Sequence, residues 1–315
     1  MCQGALGDCW LLAAISAIAE FPNYIEQRIF VENRISDDGC YHLNFYDVSS
    51  KSWIVLEIDD FIPCHEQKWW QASARPLFAQ PNGNELYILL LEKAFAKYSG
   101  KSYAKLNLGF EPFAWMHLTG CEDQQAWCRN DESQNAGTWF LNVVDADAHR
   151  AKPHDMQTVQ WVQHDDTHPD EAMFDFLLKS DASNYIMGAT IPGSEIEKAR
   201  TDGLVERHAY SVLSVKCFDA EETEEAKGII KLVQCRNPWG GAHEWNGAWS
   251  DSSELWSQYP HLDKKLRAGR TAAEPDGSFW MSWADFHGAF RFVYVSPFDM
   301  GVLRGSHRAG RYNAE

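Results

Sequence analysis

The chain has 315 residues, 45% apolar and 13% aromatic, enough to bury one large core or two smaller ones. Its formal net charge of −17 argues against nucleic acid and anionic membranes as partners and suits a protein that binds a divalent cation or stays soluble. No apolar run reaches the roughly 18 residues of a membrane helix, no basic stretch with a cleavage site signals secretion, and the eight cysteines (2, 9, 40, 64, 121, 128, 217 and 235) show no disulfide spacing, which points to a reducing, cytoplasmic compartment.

The first informative stretch is residues 3 to 19. Gln3 and two glycines, Gly4 and Gly7, allow a tight turn into Asp8, which stands where an N-cap is expected. Cys9 then opens a segment rich in Ala, Leu and Ile, predicted as a buried helix over 9–19. A thiol in the first turn of a helix lies at the positive end of the macrodipole, which favours the thiolate and lowers its pKa. Gln3 can fold back so that its NH2 and the Cys9 N–H point at one oxygen, the arrangement of an oxyanion hole. The plainer alternative is one more inert, buried cysteine.

Helix 9–19 is expected to end near Phe21–Pro22, with a shorter helix around 23–30. Alternation from Tyr41 and again from Lys51, around Ser49–Ser50, predicts a hairpin. Residues 65–84 are polar, with Pro76, Pro81 and Gly83, and read as a surface loop; 85–99 has helical periodicity and stops at Gly100. The stretch 107–120, punctuated by glycine and proline, is taken as a boundary, giving subdomains 1–120 and 121–297 and a frayed tail at 298–315. Further on, strands are expected at 138–144 and 157–163 and a helix at 170–179. Two strong strands follow at 208–215 and 229–236, joined by an acidic turn at 219–225. After a Trp-rich loop at 239–256 come strands 278–283 and 290–296, with helix 283–289 between them.

His208 begins one strong strand and Asn237 follows the end of the next. Antiparallel pairing brings the two side by side. An Asn oxygen beside an imidazole N–H fixes the tautomer and ring plane, leaving the other nitrogen for a thiol. Most of the 12 histidines are expected to be surface or core filler.

Gln3-Gly-x-x-Gly-Asp-Cys9-Trp-x-Leu-Ala resembles the nucleophile motif of the calpains, calcium-dependent intracellular cysteine proteases with a papain-like arrangement. Gly203-Leu-Val-x-x-His208-Ala-Tyr-Ser-Val resembles their histidine motif and Arg236-Asn-Pro-Trp-Gly240 their asparagine motif, in the same order. The likeness runs from about residue 2 to 297. It implies an α+β, papain-like fold, a helical subdomain carrying the nucleophile and an antiparallel-sheet subdomain carrying His and Asn, and limited proteolysis of proteins through an acyl-enzyme. Trp239 would shield the His208–Asn237 bond from water, its alternative being simple core packing. The resemblance also implies more chain before the motif than the eight residues here, and regulatory domains or subunits outside this sequence.

The same resemblance implies two calcium sites. Glu92 matches a carboxylate ligand of the first, whose other ligands would lie upstream. Glu244, Asp251, the Glu274 carbonyl and Asp276 match ligands of the second, but Ser278 stands where a further carboxylate is usual, which should weaken it. Exposed acids in an acidic protein are the alternative. His149, His154, His164 and His168, with Asp165 and Asp166, fit no zinc spacing and read as a solvated loop. The rival functions are a non-proteolytic interaction module on the same fold, disfavoured by the intact Gln3, Cys9, His208 and Asn237, and a transglutaminase-type acyltransferase, which would use Asp rather than Asn237.

Overall fold

The computed structural model describes residues 2–66, 74–81, 83, 85–130, 137–152, 161–219, 228–241, 243–267 and 276–302. Helix α1 (Cys9–Ala19) is apolar on every side and accordingly buried on every side. Helix α2 (Pro22–Tyr24) continues into a π-turn at Ile25–Ile29, and strands β1 (Cys40–Asp47) and β2 (Ser52–Asp59) form the expected hairpin. Helix α3 (Tyr87–Tyr98) follows, then α4 (Glu111–Thr119).

Helix α4 occupies a stretch, 107–120, in which no element was expected. Pro112 in the first turn opens a helix as readily as it breaks one. Gly120, in the left-handed conformation at φ 73°, closes it with its N–H on the Met116 carbonyl. Every residue of α4 is buried.

Strands β3 (Gln125–Arg129), β4 (Trp139–Val144) and β5 (Trp161–His168), helices α5 (Ala146–Ala151) and α6 (Asp170–Ala182), and strand β6 (Ile186–Thr190) come next. A two-residue ladder, β7 (Lys198–Ala199) against β8 (Val205–Glu206), then leads into β9 (Ala209–Asp219) and β10 (Ile229–Arg236). The chain closes with α7 (Leu255–Gln258), α8 (Pro260–Arg267), β11 (Ser278–Ser282), α9 (Trp283–Ala289) and β12 (Phe292–Ser296). Eight strands form one antiparallel sheet in the order β11-β10-β9-β6-β12-β3-β4-β5.

Three other expectations need correction. Residues 77–80 are not surface loop: Ala79 is buried, Leu77 and Phe78 are half-buried, and Cys2 pairs with Gln80, because this apolar trio backs the glycine turn before Cys9. The strand expected at 157–163 runs from Trp161 to His168, so the polar segment carrying His164, Asp165, Asp166 and His168 is an edge strand; 153–160, with His154, lies outside the described residues. The start of the supposed frayed tail is anchored, with Met300 buried and Phe298 against Tyr24. The acidic turn from 220 and the tail from 303 lie outside the described residues.

Helix α1 packs on β9 and β6 with α4 alongside. Ser211 Oγ donates to the Ala13 carbonyl at 2.7 Å, Trp115 Nε1 to the Ala14 carbonyl at 3.2 Å, and Arg236 Nη1 to Ser16 Oγ at 2.8 Å. These cross-links fix α1 against α4 and against β9 and β10, whose ends adjoin His208 and Asn237. The core around α1 also takes in Ala126, Val144, Ile186, Ala209 and Tyr294 from the sheet. A second core lies among Trp139, Phe174, Tyr210 and Phe286, and a third, small one joins Trp249 and Trp256 of the Trp-rich region to Trp280 of β11.

Candidate active site

The turn before α1 is shaped by close backbone approach. A Cβ on Gly4 would lie 1.8 Å from the Phe78 carbonyl oxygen, so only glycine fits. The Gln3 N–H donates to the Pro238 carbonyl at 2.8 Å, which ties this turn to the Asn237 loop. Cys9 therefore presents its thiol at the sheet side of α1, beside the start of β9.

His208 is fully buried just ahead of β9. A bulge between Gln234 and Cys235 sets the β9–β10 register so that Asn237 reaches the ring. Nε2 and Asn237 Oδ1 are 2.8 Å apart. Asn237 is itself held by its Nδ2 donating to the His243 carbonyl at 2.8 Å, and its Oδ1 also accepts the Trp239 N–H at 2.9 Å. Since an amide oxygen only accepts, Nε2 carries a hydrogen and Nδ1 is the nitrogen turned toward the thiol. Trp239 lies tilted over the ring with centroids 4.8 Å apart. Sequence order and strand pairing thus bring together Gln3, Cys9, His208, Asn237 and Trp239.

A sixth residue, Glu197, was not foreseen. It precedes β7 with φ 55°, an uncommon backbone for a non-glycine residue, and its N–H donates to the Glu206 carbonyl. Its Oε1 accepts from Gln3 Nε2 at 3.0 Å and stands 3.5 Å from His208 Nδ1. Cys9 Sγ, a Glu197 carboxylate oxygen and a His208 ring nitrogen all lie within 4.8 Å of one another. Partial burial works against the charge on Glu197, but the neighbouring His208 ring and the hydrogen bond from Gln3 outweigh it and hold the carboxyl below the usual range.

The electrostatics oppose the expectation for Cys9. Desolvation of the sulfur pushes its pKa well up; a hydrogen bond from the Ala209 backbone opposes this, and Glu197 adds to it. Burial and the Glu197 carboxylate thus favour the thiol form of Cys9 and oppose the lowering expected at the helix start. Asp8 also departs from its expected part. It occupies the N-cap position, but its side chain caps no N–H and is buried against Glu92. Burial raises the pKa of both carboxyls, and for Asp8 the neighbouring Glu92 raises it further.

Among the expected calcium ligands, Glu92 is buried and accepts the Ala79 N–H at 3.0 Å. Glu244 Oε1 accepts the Gly277 N–H at 2.6 Å and Asp276 Oδ1 the Ser278 N–H at 2.8 Å, so these two share one turn. The Asp251 carbonyl accepts from Arg267, and Glu274 lies outside the described residues. Among the described residues, two sets of three His, Cys, Asp or Glu ligand atoms converge within 4.8 Å: Cys9–Glu197–His208 and Cys40–His42–Glu57. The expected calcium carboxylates belong to neither set. The histidines dismissed as a zinc site stay apart too: His149 stacks on Phe113 and His168 on Trp127.

A cavity of about 620 Å³ opens beside Cys9, walled by Trp10, Phe110, Trp161 and Tyr294, with the buried Glu111 among its lining. That volume and apolar lining suit a ligand site.

A profile of the calpain family cysteine proteases matches residues 1–296. The chain is 32% identical over 296 residues to the calpain-type cysteine protease ADL1 of Oryza sativa subsp. japonica, covering 94% of this chain and 11% of that protein. It is 31% identical over 299 residues to calpain-A of Drosophila melanogaster (93% and 30%) and 28% over 292 residues to the calpain-2 catalytic subunit of Rattus norvegicus (91% and 34%). The chain thus spans between 11% and 34% of the length of these relatives.

Proposed function

Because the chain belongs to the calpain family of cysteine proteases and carries that family's α+β, papain-like core, we propose that it is a cysteine endopeptidase acting through Cys9, His208 and Asn237. The observation that carries this reading is the 2.8 Å contact between His208 Nε2 and Asn237 Oδ1, which leaves Nδ1 free for the neighbouring thiol. His208 takes the thiol proton as Cys9 attacks a peptide carbonyl. The Cys9 N–H, which as a first-turn helix donor has no intrahelical acceptor, and Gln3 Nε2 then receive the oxyanion. The imidazolium returns its proton to the leaving amine, and water hydrolyses the acyl-enzyme. Trp239 keeps water from the His208–Asn237 bond. Substrate side chains seat in the cavity beside Cys9.

Before any of this, Glu197 must leave. Its carboxylate holds the Gln3 donor and faces the His208 nitrogen that the reaction needs. The closed arrangement is therefore a resting state, and moving the segment that carries Glu197 is the activating step.

Calcium belongs to this proposal on resemblance alone. Glu244, Asp251, the Glu274 carbonyl and Asp276 would hold it in one half and Glu92 in the other, and no catalytic step is routed through it. The proposed setting is cytoplasmic, in keeping with eight free cysteines. No helix among the described residues is long and apolar enough to cross a membrane.

The test is the alkylation rate of Cys9, followed by mass spectrometry across pH, with and without calcium. Labelling that outpaces the other seven cysteines and collapses in His208→Ala supports the thiol–imidazole pair. If Cys9 reacts no faster than the rest under every condition, the protease reading fails and the interaction module takes its place.

A further inference from the structure

Three groups that converge at the active site differ in kind: a thiol, an imidazole and a carboxylate. With zinc–nitrogen and zinc–oxygen bonds of about 2.0–2.1 Å, neighbouring nitrogen and oxygen ligands of a tetrahedral ion lie about 3.4 Å apart. His208 Nδ1 and Glu197 Oε1 are 3.5 Å apart, and Cys9 Sγ lies within 4.8 Å of this pair. Nδ1 is buried and has no hydrogen-bond partner of good geometry. The other ring nitrogen is engaged by Asn237, the outer-shell contact that a metal-bound histidine needs to keep its lone pair aimed. Gln3 Nε2 orients the Glu197 carboxylate in the same way.

We propose that Cys9, His208 and Glu197 form a three-ligand site for Zn²⁺ that locks the active site shut. Binding forms one bond each to sulfur, nitrogen and oxygen, releases the Cys9 thiol proton to solvent, changes no oxidation state and leaves a fourth position for water. A thiolate and an imidazole select a borderline-soft cation, so Ca²⁺ and Mg²⁺ are excluded from this site. The ion occupies the nucleophile and the base together and pins Glu197 in its closed seat. The inhibitory consequence rests on the protease reading; the binding does not. The second cluster, Cys40–His42–Glu57, is different in character. It lies on the β1–β2 hairpin with Glu57 largely exposed, and the two nitrogens of His42 face Glu32 and Glu57 at 3.4 and 3.6 Å, as solvated ion pairs do. It serves as the internal control.

The experiment is a titration of the chelator-treated 315-residue chain with Co²⁺, followed by displacement with Zn²⁺ against a chromophoric chelator. One equivalent of cobalt should give a thiolate charge-transfer band with tetrahedral d–d intensity, abolished in Cys9→Ser and kept in Cys40→Ser. Glu197→Gln should weaken zinc binding by about tenfold or more. Absence of the band, its survival in Cys9→Ser, or unchanged zinc affinity in Glu197→Gln overturns the site. Peptide hydrolysis is scored separately on the chelator-treated chain resupplied with Ca²⁺, which this site excludes. Hydrolysis without the cobalt band refutes the zinc site and leaves the protease, whereas a well-formed cobalt site on a chain that hydrolyses nothing refutes the protease and leaves the metal.

Discussion

Replacing Glu111 with Gln isolates the cost of a carboxyl sealed beside the nucleophile. Glu111 is 1% exposed at the start of α4, and its Oε1 has no hydrogen-bond partner. Burial raises its pKa from the ordinary 4.5 to about 8. The folded chain therefore keeps this proton through a window in which the unfolded chain has lost it. More protons bound when folded means that stability falls as pH rises from 4.5 to about 8. The slope is about 1.4 kcal/mol per pH unit, so between pH ~5.5 and pH ~7.5 wild type loses about 3 kcal/mol that Glu111→Gln, which cannot ionise, keeps. A buried amide brings its own cost of about 1–3 kcal/mol, but that cost does not vary with pH. Urea unfolding of both proteins at several pH values reads the difference directly, and titrations of all other groups cancel in it. Parallel stability–pH curves for wild type and variant would refute the argument, because they would mean that Glu111 ionises in the folded state as easily as in the unfolded chain.

Three further changes probe the site itself. Glu197→Gln should raise the Cys9 alkylation rate near neutral pH by about tenfold, the equivalent of one pKa unit of thiolate; an unchanged rate would show that Glu197 does not hold the resting state. Gln3→Ala should lower kcat by about 10²–10³ with KM little altered, since an oxyanion donor acts mainly in the transition state; a loss confined to KM would contradict that role. Gly4→Ala forces a methyl into the Phe78 carbonyl oxygen at 1.8 Å, so a thermal melt should show destabilisation of about 1–3 kcal/mol, and hydrolysis should drop with it as Gln3 is displaced.

What the sequence disclosed and what it hid divide along physical lines. Helix α1, the β1–β2 hairpin and the β9–β10 pair stand out because their patterns are long and regular, and β9 next to β10 is enough to bring His208 to Asn237. Strand β6 is illegible because a central strand buried on both faces has no alternation, and Gly188 in its middle reads as a break. Helix α4 is hidden by Pro112 and Gly120, which mark its two ends but resemble loop punctuation. For Cys9 only the acidifying helix terminus is local and visible, whereas the desolvating walls and Glu197, which oppose it, arrive from far along the chain. Glu197 gives no signal of its own, being one acid in Gly193-Ser-Glu-Ile-Glu-Lys198; only the fold singles it out.

The place of β12 has a bearing on how the protein is made. It is the last of the described strands in the chain, yet it lies in the interior of the eight-stranded sheet, between β6 and β3. Chains emerge from the ribosome N-terminus first. Cys9, His208 and Asn237 are therefore all synthesised before β12 can join the two parts of the sheet, β10-β9-β6 (to which β11 is added later) and β3-β4-β5. Residues 292–296 are the bolt between them. A nascent chain thus has Cys9, His208 and Asn237 long before it has the frame that aligns them, and a stop codon or a cut just ahead of Phe292 leaves all three on a sheet whose halves stay unjoined.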